Sequence, residues 1–230
     1  MKQSISFLSI ISLLIILGLS SCNKEDDNIQ NLPTYMDMVT FTEQSGDLSV
    51  FTFQVSQDAP ITTLVAPVKL NTEIVKLDTR LIIGYNVPEG VKYGESTTIE
   101  LISAALIYND TVKIEPISKY PLWDVANINL QKVWLTGQYL NLAAYTPSST
   151  YKTEIIMVAD ESTLDSDTVK IYAVYDNNSA SGAPLTREYY ASYNLCDIFK
   201  RATNLKAISV YAPCGKILNF NIKANLTPAN

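Results

Sequence analysis

Histidine is absent from the 230 residues. That removes the commonest general base and the commonest metal ligand together, and with them any Ser-His or Cys-His nucleophile pair. A surplus of positive charge is also missing, since 17 Lys and Arg stand against 23 Asp and Glu. Nucleic acid and anionic lipid headgroups both need a basic face, so neither is an expected partner. Glycine is sparse, with 8 in the whole chain, and no Gly-rich phosphate loop, nucleophile elbow or paired-cysteine zinc site occurs. No catalytic residue, cofactor or metal is therefore expected.

What is present begins at the N-terminus. Met1-Lys2-Gln3 carries one side-chain charge, and Ile5 to Leu19 then runs uncharged and mostly apolar. This run falls short of the ~20 residues a spanning helix needs, and it ends in small polar residues rather than a basic flank. Leu19-Ser20-Ser21-Cys22 resembles a bacterial lipobox. Small residues admit the signal peptidase and the thiol accepts the diacylglycerol. Residues 1–21 thus read as a cleaved lipoprotein signal peptide, with Cys22 the lipid attachment and the membrane a partner through it. Each buried CH2 of an acyl chain contributes about 0.8 kcal/mol, so two or more chains hold stably. Losing Lys2 moves the net charge from −6 to −7.

Residues 22–34 are polar and aperiodic, as a flexible tether would be. Within them Lys24, Glu25, Asp26 and Asp27 resemble the acidic export signal that sends Bacteroidetes lipoproteins to the outer face of the outer membrane. A plain solvated charge run is the other reading. The first implies a cell-surface location.

From Tyr35 onward the hydrophobic period is two. Phe51, Phe53 and Val55 alternate with Thr52, Gln54 and Ser56; Leu81, Ile83, Tyr85 and Val87 do the same. Four to six short strands over residues 35–118 suit a small barrel. Lys119 to Trp123 marks the domain boundary. Residues 119–230 then hold six or seven strands, suiting a β-sandwich. One helix is expected, Leu195 to Ala202, capped by Asn194, with Asp197 in its first turn and Lys200 and Arg201 in its last.

Three features carry chemistry at all. Cys196 and Cys214 are a candidate disulfide in an oxidising envelope, or two buried unpaired thiols; spacing leaves both readings open. The acidic run Asp160 to Asp167 offers oxygens to Ca²⁺ but lacks EF-hand spacing, so a solvated hairpin loop is the reading preferred. Tyrosine is abundant in the second half, at Tyr139, Tyr145, Tyr172, Tyr175, Tyr189, Tyr190, Tyr193 and Tyr211 among others. Strand packing is favoured over a binding face as its cause.

Val133-Trp134-Leu135-Thr136-Gly137-Gln138-Tyr139-Leu140-Asn141-Leu142 resembles the second-domain signature of the NigD-like lipoproteins of Bacteroidales. Lys170 to Asn178 and Tyr190 to Leu195 resemble later strands of that family, and Asp78 to Tyr85 resembles its N-terminal OB-like barrel. The resemblance implies an all-β chain, an OB-like barrel followed by a β-sandwich with one short helix, on a lipid anchor. It implies no enzyme activity. The function so expected is non-catalytic binding of a protein or glycan partner, or alternatively bacteriocin immunity or another protective or structural envelope role.

Overall fold

The computed structural model describes residues 32–222 apart from 57–58, 126–127, 148–153 and 176–185. The signal peptide, Cys22 and Lys24 to Asp27 lie outside the described residues. Strands dominate, as the alternating pattern requires, and none of the described helices is long and apolar enough to cross a membrane.

The chain divides into two compact units. The first ends at Leu106, and residues 54–60 cluster with the second. The sequence placed the division at Ser118. Two short strands account for the difference: β7 (Tyr108–Thr111) and β8 (Lys113–Glu115) add in parallel to strands of the second unit. Strands this short carry no readable alternation, so their allegiance is fixed only by distant partners.

The first unit is one six-stranded sheet. Its strands are β1 (Tyr35–Ser45), β2 (Leu48–Phe53), β3 (Thr62–Ala66), β4 (Arg80–Asn86), β5 (Ser96–Thr98) and β6 (Glu100–Leu106), in the order β5-β3-β2-β1-β4-β6. β1 and β2 join through Gly46, whose φ of 58° suits a tight hairpin. The sheet is not closed into a barrel, contrary to the expectation for residues 35–118. Its two edge strands, β5 and β6, are one run of chain broken at Ile99, which is buried. β5 pairs in parallel with β3, and β6 pairs antiparallel with β4. The core holds Val39, Phe41, Phe51, Leu64, Leu81, Ile83 and Tyr85. These are the inward half of each alternation.

The second unit has two sheets. β9 (Asn129–Thr136), β10 (Tyr139–Pro147) and β13 (Thr186–Asn194) form a four-stranded sheet with β7, ordered β7-β13-β10-β9. β11 (Ile155–Asp160), β12 (Thr168–Tyr175), β14 (Ala207–Ala212) and β15 (Lys216–Asn221) form a five-stranded sheet with β8, ordered β15-β14-β12-β11-β8. One core draws from both: Leu140, Leu142, Ala191 and Tyr193 from the first sheet, and Met157, Ile171, Ala173 and Val210 from the second.

The one α-helix among the described residues, α1 (Cys196–Arg201), starts a residue later than expected. Asn194 still accepts the Cys196 N–H, at 2.8 Å. Ile198 is fully buried and Phe199 packs on the same core, while Asp197 and Lys200 pair at 3.9 Å on the outer side.

Candidate functional site

The five-stranded sheet turns half of each strand's side chains away from the shared core. In β12 and β14, Ile171, Ala173, Ile208 and Val210 point inward, so Tyr172, Ser209 and Tyr211 stand on the other face. Tyr172 and Tyr211 are register partners on adjacent parallel strands. Their rings stack with centroids 4.8 Å apart and planes at 19°. Ile217 is opposite Tyr211 on β15, half exposed. A row of large side chains therefore crosses three strands.

Trp123 stands edge-on to this row, 4.8 Å from the Tyr172 ring and 6.4 Å from the Tyr211 ring. It arrives on the segment after β8, a short 3-10 turn at Ile117–Lys119 followed by further turns. Tyr120 fastens that segment by donating to the Glu115 carboxylate at 2.6 Å. The hydrogen bond lowers the Glu115 carboxyl and pushes the Tyr120 phenol up to about 12. Beside the indole, Leu122 and Val125 project into solvent, 72% and 71% exposed. Tryptophan and tyrosine are enriched at contact-surface centres, and Leu122 and Val125 add exposed apolar area next to them in the chain. From the sequence this segment was only a boundary. Its aromatic residues, Tyr120 and Trp123 on either side of Pro121, were the signal available.

A second aromatic group lies in the first unit. Tyr85 donates to Asp37 Oδ2 at 2.8 Å, and its oxygen is 3.4 Å from the Tyr93 hydroxyl. Tyr35 stacks on Tyr85 at 5.4 Å and on Tyr93 at 5.8 Å. Burial raises the Asp37 carboxyl above its ordinary value, the Tyr85 hydrogen bond offsetting part of the shift. Burial and the neighbouring Tyr93 and Asp37 push the Tyr85 phenol far up.

The remaining tyrosines mostly pack. Tyr175, Tyr189 and Tyr193 are buried in the second core, and Tyr193 donates to the Ile155 carbonyl. Burial pushes the Tyr189 phenol up to about 12. A cleft of about 410 Å³ lies between residues 110–114 and Asp197, Lys200 and Arg201 of α1. Its charges alternate in sign, and Arg201 already faces Glu161 at 3.5 Å.

The sequence-derived candidates distribute unevenly. Cys196 is a free thiol. Its Sγ donates to Gln138 Oε1 at 2.9 Å; the side chain of Cys214, the other half of the candidate bridge, lies outside what the structure describes. The acidic run Asp160 to Asp167 is a connector between β11 and β12, in which Asp160 accepts the Ser162 N–H at 3.2 Å. Asp167 faces Lys206 at 4.0 Å. Among the described residues no group of three acidic or cysteine side chains converges as a metal site.

No family model matches the chain, and no curated protein matches it in sequence. Solved structures do share its fold. A candidate lipoprotein from Bacteroides fragilis superposes with a TM-score of 0.60 at 14% identity, covering 83% of this chain and 99% of that one. A candidate toxin-related protein from Parabacteroides distasonis gives 0.57 at 11%, over 84% and 95%. A NigD-like immunity protein from Bacteroides caccae gives 0.52 at 16%, over 81% and 91%. The fold of a NigD-like protein is thus also the fold of this chain.

Proposed function

We propose that the chain is a lipid-anchored envelope lipoprotein of the NigD-like kind, held at the outer membrane through Cys22 and exposed at the cell surface, which binds a protein or glycan partner without catalysis. The observation that carries the binding role is the Trp123–Tyr172–Tyr211 face with Leu122 and Val125 exposed beside it. The lipobox supports the anchor. The fold shared with a candidate lipoprotein and a NigD-like immunity protein is in keeping with both.

The same reading takes the first unit as OB-like and the second as a β-sandwich. Support for the OB-like topology is the run from Ser96 to Leu106, which pairs in parallel with β3 at its start and antiparallel with β4 at its end. That is how the last strand of such a fold links the two ends of the sheet. Support for the sandwich is the single core shared by two sheets.

A non-catalytic role suits the electrostatics. Among the described residues the groups displaced furthest are phenols, pushed upward by burial. Upward displacement keeps them protonated, as donors, and so unfit as bases near neutral pH.

A second reading is protection against a bacteriocin, favoured by the immunity protein among the structural neighbours. Gene deletion separates the two. Loss of binding to a polysaccharide panel or to a defined surface protein, restored by the wild type but not by Leu122→Ser with Val125→Ser, supports the binding reading. Sensitisation to bacteriocin without any such loss supports protection and sinks the first.

A further inference from the structure

The point at which the tether joins the fold is fixed. Pro33 lies against Gly84, where an added Cβ would come within 2.8 Å of the proline ring. The Thr34 N–H donates to Asn86 Oδ1 at 2.7 Å. β1 runs antiparallel to β4 with Tyr35 opposite Tyr85, so the loop that follows β4 sits at this same end of the first unit. That loop turns at Gly90, where φ is 81° and the Val91 N–H donates to the Pro88 carbonyl at 3.1 Å. It carries Tyr93 back onto Tyr35.

This end is apolar and uncovered. Leu32 is 75% exposed, Met36 61%, Tyr35 42%, Tyr93 40% and Val91 37%. Tyr35 and Tyr93 lie ring on ring, centroids 5.8 Å apart, with the Tyr93 hydroxyl 3.4 Å from that of Tyr85. Phenol bodies with polar tips among aliphatic side chains are what a water–lipid boundary accepts.

The chain outside the structure decides what covers it. Leu32 follows Cys22 by ten positions, so it is never more than about 35 Å from that residue. A random coil of that length spans about 17 Å on average. At that distance the bilayer surface is the occupant always at hand. The exposed charges beside the patch, Glu89, Lys92 and Glu95, nearly cancel, so the contact is apolar rather than electrostatic.

We infer that the tether end of the first unit, Leu32, Tyr35, Met36, Val91 and Tyr93, is a membrane-docking face that settles into the headgroup boundary of the bilayer holding Cys22. The inference rests on the lipoprotein reading. It adds that the protein is held in one orientation rather than swinging on its tether.

Methionine provides the probe. After loss of Met1 the chain retains Met36, Met38 and Met157. Met36 is exposed at this end of β1, on the face opposite Tyr35, whereas Met38 and Met157 are buried. Asp47→Met adds an exposed methyl at the far end of β1, about 33 Å along an 11-residue strand. The acylated protein, labelled with 13C at methionine methyls, is placed in phosphatidylcholine nanodiscs containing a headgroup spin-labelled phospholipid. The Met36 methyl should relax at least several-fold faster than the methyl at position 47, unchanged by 0.5 M salt. Tyr35→Ser with Tyr93→Ser should equalise the two.

Equal relaxation at both positions in the wild type would overturn docking while leaving the anchor intact. Protection of Met36 from a soluble gadolinium chelate in the unanchored Cys22→Ser protein would overturn it differently, by showing that a second copy covers the patch. Absence of lipid at Cys22 by mass spectrometry would overturn the lipoprotein reading and docking with it.

Discussion

Tyr85 and Asp37 form a part-buried hydrogen bond across β4 and β1, the phenol donating to Oδ2 at 2.8 Å. Desolvation outweighs that bond, and the Asp37 carboxyl is raised above 3.8. The sign of the pH effect follows. Between the unfolded value and the raised folded value the folded state holds more protons, so stability falls as pH rises through that window. Asp37→Asn keeps an acceptor for Tyr85 and removes the charge. Its melting midpoint relative to the wild type should be more favourable at pH 7 than at pH 3.5, by about 1–3 °C for a domain of this size. A difference that is constant with pH, measured by calorimetry, would show that the carboxylate is solvated.

Gly84 sits where two segments converge. A Cβ there would meet Ser103 Oγ at 2.7 Å and Pro33 Cγ at 2.8 Å. Gly84→Ala should therefore displace Pro33 or strain β6, costing about 1–3 kcal/mol as overpacking does. Urea melts give the cost, and protease cleavage near Leu32 shows whether the tether junction has come away. No change in either would mean that the segment before β1 is not packed on the sheet.

Much of the strand content was legible, for a physical reason. Where one face of a strand is buried and the other is not, period two is imprinted on the residues, and Phe51, Phe53, Leu81, Ile83, Leu140, Leu142, Ile155 and Met157 all lie inside. The α1 charges were legible from the dipole rule. The domain division was not, because β7 and β8 are too short to show a period and pair with strands far along the chain. Nor was the aromatic face. Tyr172 and Tyr211 are 39 positions apart, and only the parallel pairing of β12 with β14 makes them neighbours. Val158 shows the same blindness: it points away from the core, yet it is fully buried.

Asn141 and Ser192 are partners across β10 and β13, both fully buried. The serine hydroxyl donates to Asn141 Oδ1 at 2.5 Å, and Asn141 Nδ2 donates to Thr136 Oγ1 at 2.7 Å. Polar groups so placed are costly to leave unmatched. Asn141→Ala should destabilise the second unit by about 1–3 kcal/mol, and Ser192→Ala by somewhat less. Because the two share one network, the double variant should cost less than the two losses combined, with a coupling of about 0.5–3 kcal/mol. Strict additivity in denaturant melts would show that the short contact contributes nothing.

The aromatic face allows stability and binding to be separated. Trp123 contacts Tyr172 and Tyr211 edge-on; such pairs contribute about 0.5–1.5 kcal/mol beyond area burial. Trp123→Ala should accordingly lower the stability of the second unit by about 1–2 kcal/mol, less than the loss at a fully buried tryptophan. Leu122 and Val125 are exposed, so Leu122→Ser with Val125→Ser should leave the melt within about 0.5 kcal/mol. If the face is a contact surface, that stable double variant should nonetheless bind its polysaccharide or protein partner at least tenfold more weakly, since each exposed apolar group at an interface centre is desolvated on association. A parallel loss at Trp123→Ala strengthens the assignment but cannot carry it alone, because the variant also loosens the segment that presents the patch. Unchanged affinity in the Leu122 and Val125 double variant, measured by titration calorimetry, would remove the face from the binding role and leave the stacked rings as packing.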